Sequence, residues 1–124
     1  MAHRTGPPPL TDAGFQILLS LADGERHGYE IMQHVSQSGL SKLGPTTLYR
    51  TIRTLQEAGL IDESDRRPAQ QDDDGRRRYY RLTHAGAEAA RAEIARLRHL
   101  LELAETTNLA ARARRRPPQP RIAQ

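Results

Sequence analysis

Two arginines one helical turn apart, Arg50 and Arg53, lie in the stretch GPTTLYRTIRTLQEAGLI (residues 44–61), which carries no carboxylate until Glu57. A guanidinium can pair bidentately with guanine O6 and N7 or with a phosphate, so the arrangement suits an anionic partner. Other chemistries find less support. The chain has no cysteine, which excludes a disulfide scaffold and thiolate metal sites. His3, His27, His34, His84 and His99 lack ligand-like spacing, with only Asp23 and Glu30 near His27 and His34, so no metal is expected. No nucleophile adjoins a base, and neither a glycine-rich phosphate loop nor an acid pair is present. Neither enzymatic activity nor a cofactor is therefore expected.

The elements that must present these arginines can be read from periodicity. Pro45 suits the first position of a helix, where its missing N–H costs nothing, and Gly59 ends that helix. At 100° per residue Leu48, Ile52 and Leu55 share one face, and Thr46, Arg50, Arg53 and Glu57 lie opposite. Tyr49 and Gln56 fall on one boundary, Thr47 and Thr54 on the other. On an isolated helix a charged outer face is ordinary solvation, so the neighbouring segments decide its meaning.

Upstream, residues 1–10 contain Pro7, Pro8 and Pro9 and are expected to be a flexible lead-in. Thr11 or Asp12 can cap a first helix running to about Ala22, with Phe15, Leu18, Leu19 and Ala22 as its buried stripe. A second short helix, from about Gly28 to Gln37, has Ile31, Met32 and Val35 on its apolar side. The turn SGLSKLGP joins it to the arginine-bearing helix, completing a helix-turn-helix.

Downstream, LIDES and RRRYYRLT read as two β-strands, and DRRPAQQDDDG between them reads as a long hairpin loop. The expected fold is thus mainly α with a small β-hairpin: a winged helix-turn-helix domain over residues 11–83. Thr83 can cap a further helix over residues 84–111. Ala87, Ala90, Ile94, Leu97, Leu101 and Ala104 recur there in steps of three and four, forming a seam that Leu100 and Leu103 widen. Such a seam packs either on its own domain or on a second copy of the chain. Because it runs about 20 residues beyond elements that already have partners, it is assigned to dimerisation.

The pI of about 10.1 is uneven in origin. Arg112, Arg114, Arg115, Arg116 and Arg121 fall in residues 112–124, expected to be a disordered basic tail rich in proline and arginine. Without those five, the 19 basic residues become 14 against 15 acidic ones, so overall charge says little about the folded part. Local charge says more: Lys42, Arg50, Arg53, Arg66, Arg67, Arg76, Arg77, Arg78 and Arg81 all lie between positions 42 and 81. No apolar run approaches a membrane span, and the N-terminus lacks a signal peptide's apolar segment. A soluble cytoplasmic protein without membrane attachment is expected.

Three segments, ILLSLADGERHGYEIMQHV, LGPTTLYRTIRTLQEAGLI and RRRYYRLTHAGAEAARAEI, resemble in order and spacing the PadR family of bacterial winged-helix transcription regulators, its short subgroup with a single C-terminal helix. The marks are His27-Gly28-Tyr29, Thr47-Leu48-Tyr49, Glu57-Ala58-Gly59-Leu60-Ile61, and Tyr80-Arg81-Leu82-Thr83 leading to Ala85-Gly86. The resemblance implies a homodimer on promoter DNA, usually a repressor, paired through C-terminal helices and often released by a small-molecule effector. Family members commonly have proline after the Leu-Tyr pair, where this chain has Arg50. In the hairpin loop Asp72, Asp73 and Asp74 would repel phosphate.

On this reading the DNA-binding residues are Thr46, Thr47, Tyr49, Arg50 and Arg53 of the third helix, Lys42 before it, and Arg76 and Arg77 of the wing. Each has an ordinary alternative: solvation for the lysine and arginines, a packed ring with a wet tip for Tyr49. Rival functions are a winged-helix protein-interaction module and a metal-responsive winged-helix sensor.

Overall fold

The computed structural model describes residues 10–38, 43–64 and 78–109. Seven elements follow in order: α1 (Asp12–Ser20), β1 (Arg26–His27), α2 (Gly28–Gln37), α3 (Pro45–Glu57), β2 (Ile61–Glu63), β3 (Tyr79–Leu82) and α4 (His84–Glu105). The chain divides into two compact units within α4, between Glu93 and Ile94.

In the first unit α1, α2 and α3 pack around Ile17, Leu18, Ile31, Leu48 and Ile52, all at most 2% exposed. The antiparallel sheet has the order β1-β3-β2. Ile61 pairs with Leu82, Asp62 with Arg81 and Glu63 with Tyr80. The wing strands are therefore as expected, but β1 is an addition, pairing Arg26 with Tyr80 and His27 with Tyr79. Two residues are too short a run for period-two patterning to mark.

Helix α1 starts as expected, with Thr11 Oγ1 accepting from the Gly14 amide at 3.0 Å. Its buried face differs from expectation. Leu18 is buried, but so are Ile17 and Leu21, whereas Phe15 is half-buried, Leu19 is 41% exposed and Ala22 is exposed beyond the helix end. The cause is contact with both α2 and α3, which turns a different edge of an almost continuous apolar run inward. The buried Ser20 hydroxyl stays satisfied by donating to the Ile17 carbonyl at 2.7 Å.

Helix α3 begins at Pro45 with Gly44 as its cap residue, and Leu48, Ile52 and Leu55 are buried. Its exit is a Schellman motif: Gly59 adopts φ 78°, the Leu60 amide donates to the Leu55 carbonyl at 2.9 Å, and the Gly59 amide donates to Gln56 at 3.0 Å. Thr83 then fastens this exit to α4. Its hydroxyl donates to the Gly59 carbonyl at 2.7 Å and accepts from the Gly86 amide at 3.0 Å.

Ala89 and Ala90 of α4 belong to the apolar core of the first unit, so Ala90 of the expected seam is packed within its own chain. In the second unit Leu97, Leu100, Leu101 and Leu103 are 40–59% exposed, and Ala104 is exposed. The continuous helix runs to Glu105, Asn108 and Leu109 are again helical, and residues 110 and 111 of the expected helix lie outside the described residues. Just after Glu105 the Thr106 and Thr107 hydroxyls donate to the carbonyls of Leu103 and Ala104, at 2.7 and 2.6 Å. No helix among the described residues is long and apolar enough to cross a membrane.

Candidate nucleic-acid interface

The outward face of α3 carries Thr46, Thr47, Arg50, Arg53 and Thr54, all exposed above the buried stripe. Among the described residues neither Arg50 nor Arg53 forms an ion pair, so both keep their donors for an external acceptor. Arginines of the wing strands behave differently. Arg78 Nη1 lies 3.0 Å from Glu63 Oε2, and Arg81 Nε lies 2.8 Å from Asp62 Oδ1, so each is neutralised across the hairpin. Lys42, Arg76 and Arg77 lie outside the described residues.

The start of α2 adjoins α3 through Tyr49. This side chain is 44% exposed and its ring rests against Gly28. The turn before Gly28 is held by a capping box: His27 Nδ1 accepts from the Glu30 amide at 3.3 Å, and Glu30 Oε1 accepts from the His27 amide at 3.0 Å. The His27 ring also meets Tyr79 edge-on, with centroids 5.3 Å apart. Glu30 is thereby turned back onto the backbone of its own helix start.

Tyr29, at the start of α2, is not among the contact residues expected from the sequence. It is 58% exposed, and its hydroxyl accepts from Gln33 Nε2 at 3.3 Å, leaving the phenolic proton available to an outside acceptor. The signal lies in its phase, because Tyr29 falls on the opposite side of α2 from the Ile31 and Val35 stripe.

Tyr80, in β3, is 6% exposed. Burial holds its phenol above the ordinary value of 10.0; the Glu63 charge and the Tyr49 phenol add to the rise, and Arg78 opposes it. A folded state that keeps this proton longer than the unfolded chain is favoured at lower pH. Tyr80's contribution is whole below about pH 10 and is lost as pH rises through the folded value. Urea unfolding across that range should show stability falling more steeply in the wild type than in Tyr80→Phe, and equal slopes would contradict it.

Residues 17–92 match the transcriptional regulator PadR-like family. A transcriptional regulator from Clostridium thermocellum has 24% identity and a TM-score of 0.63, with 76% of this chain and 87% of that one covered. A PadR family transcription regulator from Clostridium difficile has 23% identity and a TM-score of 0.66, with 76% and 95% covered. The structure of Bacillus subtilis PadR in complex with operator DNA has 17% identity and a TM-score of 0.60, covering 94% of this chain and 54% of that one. At these identities the likeness establishes a shared winged-helix fold. An uncharacterised protein of a Streptomyces fradiae transposon is 37% identical over 82 residues, 66% of this chain, and the chain spans 22% of that protein's length. Because the family match takes in the helix-turn-helix, all three strands and the first part of α4, the chain belongs to the PadR-like family of transcriptional regulators.

Proposed function

We propose that this regulator binds double-stranded DNA sequence-specifically as a homodimer and represses transcription from an inverted-repeat operator. The observation that carries the reading is the outer face of α3, where Arg50 and Arg53 stand exposed without ion pairs among the described residues. In the major groove Arg50 reads a base edge, Arg53 contacts a base or a phosphate, and Thr46 and Thr47 donate to phosphate or pack on a thymine methyl group. Tyr49 supplies a phosphate contact from the helix boundary. Lys42, Arg76 and Arg77 add phosphate contacts from the turn and wing. A two-fold dimer sets two such helices in successive grooves, with half-sites about 10 bp apart. A small-molecule effector would release DNA by binding better to a dimer whose α3 helices are wrongly spaced.

Fluorescence anisotropy of labelled duplex DNA over a range of salt concentrations tests the contact mode. Affinity should fall steeply with salt, by a log-log slope of about 0.9 for each phosphate neutralised. A flat response would argue against a duplex held by these arginines.

Dimerisation is assigned to Ala87, Ile94, Leu97, Leu101 and Ala104, with Ala90 supporting the helix from the core side. Leu97→Glu with Leu101→Glu, both at exposed positions, should leave the winged domain folded and give a monomeric mass in light scattering. A dimer that persists would remove this seam from the interface.

A further inference from the structure

Gly28, the first residue of α2, occupies a place where a side chain would collide with Tyr49 of α3. A β-carbon built on Gly28 would lie 2.9 Å from Tyr49 Cζ and 3.0 Å from Cε1, and closer still to the phenolic oxygen. The obstacle is thus the far end of a side chain that can rotate away, not backbone. The seat itself cannot shift easily. His27 immediately before it is fixed by the capping box, by pairing with Tyr79 in the sheet and by the edge-on ring contact. Tyr49 rises from α3 one position before Arg50 and remains 44% exposed.

We infer that Gly28 is a positioning residue for DNA binding: its missing side chain lets the Tyr49 phenol lie on the first turn of α2, holding the hydroxyl at the start of that helix as a donor to a phosphodiester oxygen. The inference rests on the DNA-binding reading above and adds a residue that itself touches no DNA. It also explains why His27-Gly28-Tyr29 and Thr47-Leu48-Tyr49 occur together, since the glycine of one receives the tyrosine of the other. The donor is uncharged, so the contact adds affinity without releasing a counterion of its own.

The test uses the full chain and a labelled duplex recovered by selection from random DNA. Gly28→Ala should fold with nearly wild-type helicity and thermal midpoint, because the phenol swings aside, yet bind about fivefold more weakly; Tyr49→Phe and Tyr49→Ala should each lose about tenfold. Adding Gly28→Ala to Tyr49→Ala should change affinity by less than about twofold, since the group being positioned is already gone. The losses should be similar at every salt concentration, unlike those from an arginine substitution. Wild-type affinity in Gly28→Ala, failure of that variant to fold, or a further loss in the Tyr49→Ala background would each overturn the inference. If the wild type itself retains no duplex, the DNA-binding reading fails first, and the inference with it.

Discussion

Replacing Arg50 and Arg53 together by alanine should abolish sequence-specific retention of duplex DNA while leaving the thermal midpoint almost unchanged. Both residues are exposed, and neither has an ion pair among the described residues. Alanine is the most helix-favouring residue, and surface substitutions of this type alter stability by about 0.5 kcal/mol or less. Binding should respond very differently. A bidentate arginine–guanine contact is worth about 1–3 kcal/mol of discrimination, so losing two such contacts lowers preference for the operator by roughly thirtyfold or more. If Arg53 touches phosphate and Arg50 a base, Arg53→Ala alone should weaken all duplexes alike and reduce the salt slope by about 0.9. Arg50→Ala alone should instead relax preference at one base pair of each half-site. Unchanged affinity and preference in the double variant would exclude α3 as the reading helix.

Gly86→Ala should produce the largest loss of stability from a single added methyl group. A β-carbon at this position would run into the Leu60 carbonyl oxygen and would lie 2.8 Å from Leu82 Cδ1. Here the obstacle is backbone, held by Thr83, whose amide donates to the same Leu60 carbonyl at 3.1 Å. Relief would require α4 to lift from the α3 exit, stretching the Thr83 hydrogen bonds to Gly59 and Gly86. Overpacking of this kind costs about 3 kcal/mol. In a domain this small that corresponds to a fall of roughly 12–24 °C in the midpoint of thermal unfolding. A fall of only a degree or two would mean that α4 is not seated so closely. Gly28→Ala is the natural contrast, because there only a rotatable phenol must move.

Helix α3 is legible in the sequence because three signals agree: Pro45 at the start, Gly59 at the end and a clean stripe of Leu48, Ile52 and Leu55 between them. The same phase places Arg50 and Arg53 outward. In α1 the run from Phe15 to Leu21 is apolar on nearly every side, so periodicity cannot choose between the Leu19 edge and the Ile17–Leu21 edge; packing on two helices chooses. Strand β1 is invisible to pattern because pairing with β3, not local sequence, makes those two residues a strand.

At the interface, exposure can be read from sequence and proximity cannot. Tyr49 is identifiable as a boundary residue, but its seat on Gly28 arises from two helices meeting in space. The wing arginines show the converse, since composition puts Arg78 and Arg81 in a basic cluster and the strand register pairs each with a carboxylate. Likewise the regular spacing of the α4 seam does not reveal that Ala90 is claimed by the core, whereas Leu97 and Leu101 are exposed.

In the proposed function, two copies of α3 read DNA from a symmetric dimer. Selection of binding sites from random duplex DNA with the full chain puts this to the test, because one result reports binding, symmetry and spacing together. The expected result is enrichment of an inverted repeat with half-site centres about 10 bp apart and a guanine in each half-site that depends on Arg50. Recovery of no enriched sequence, or of a single unrepeated half-site, would contradict it.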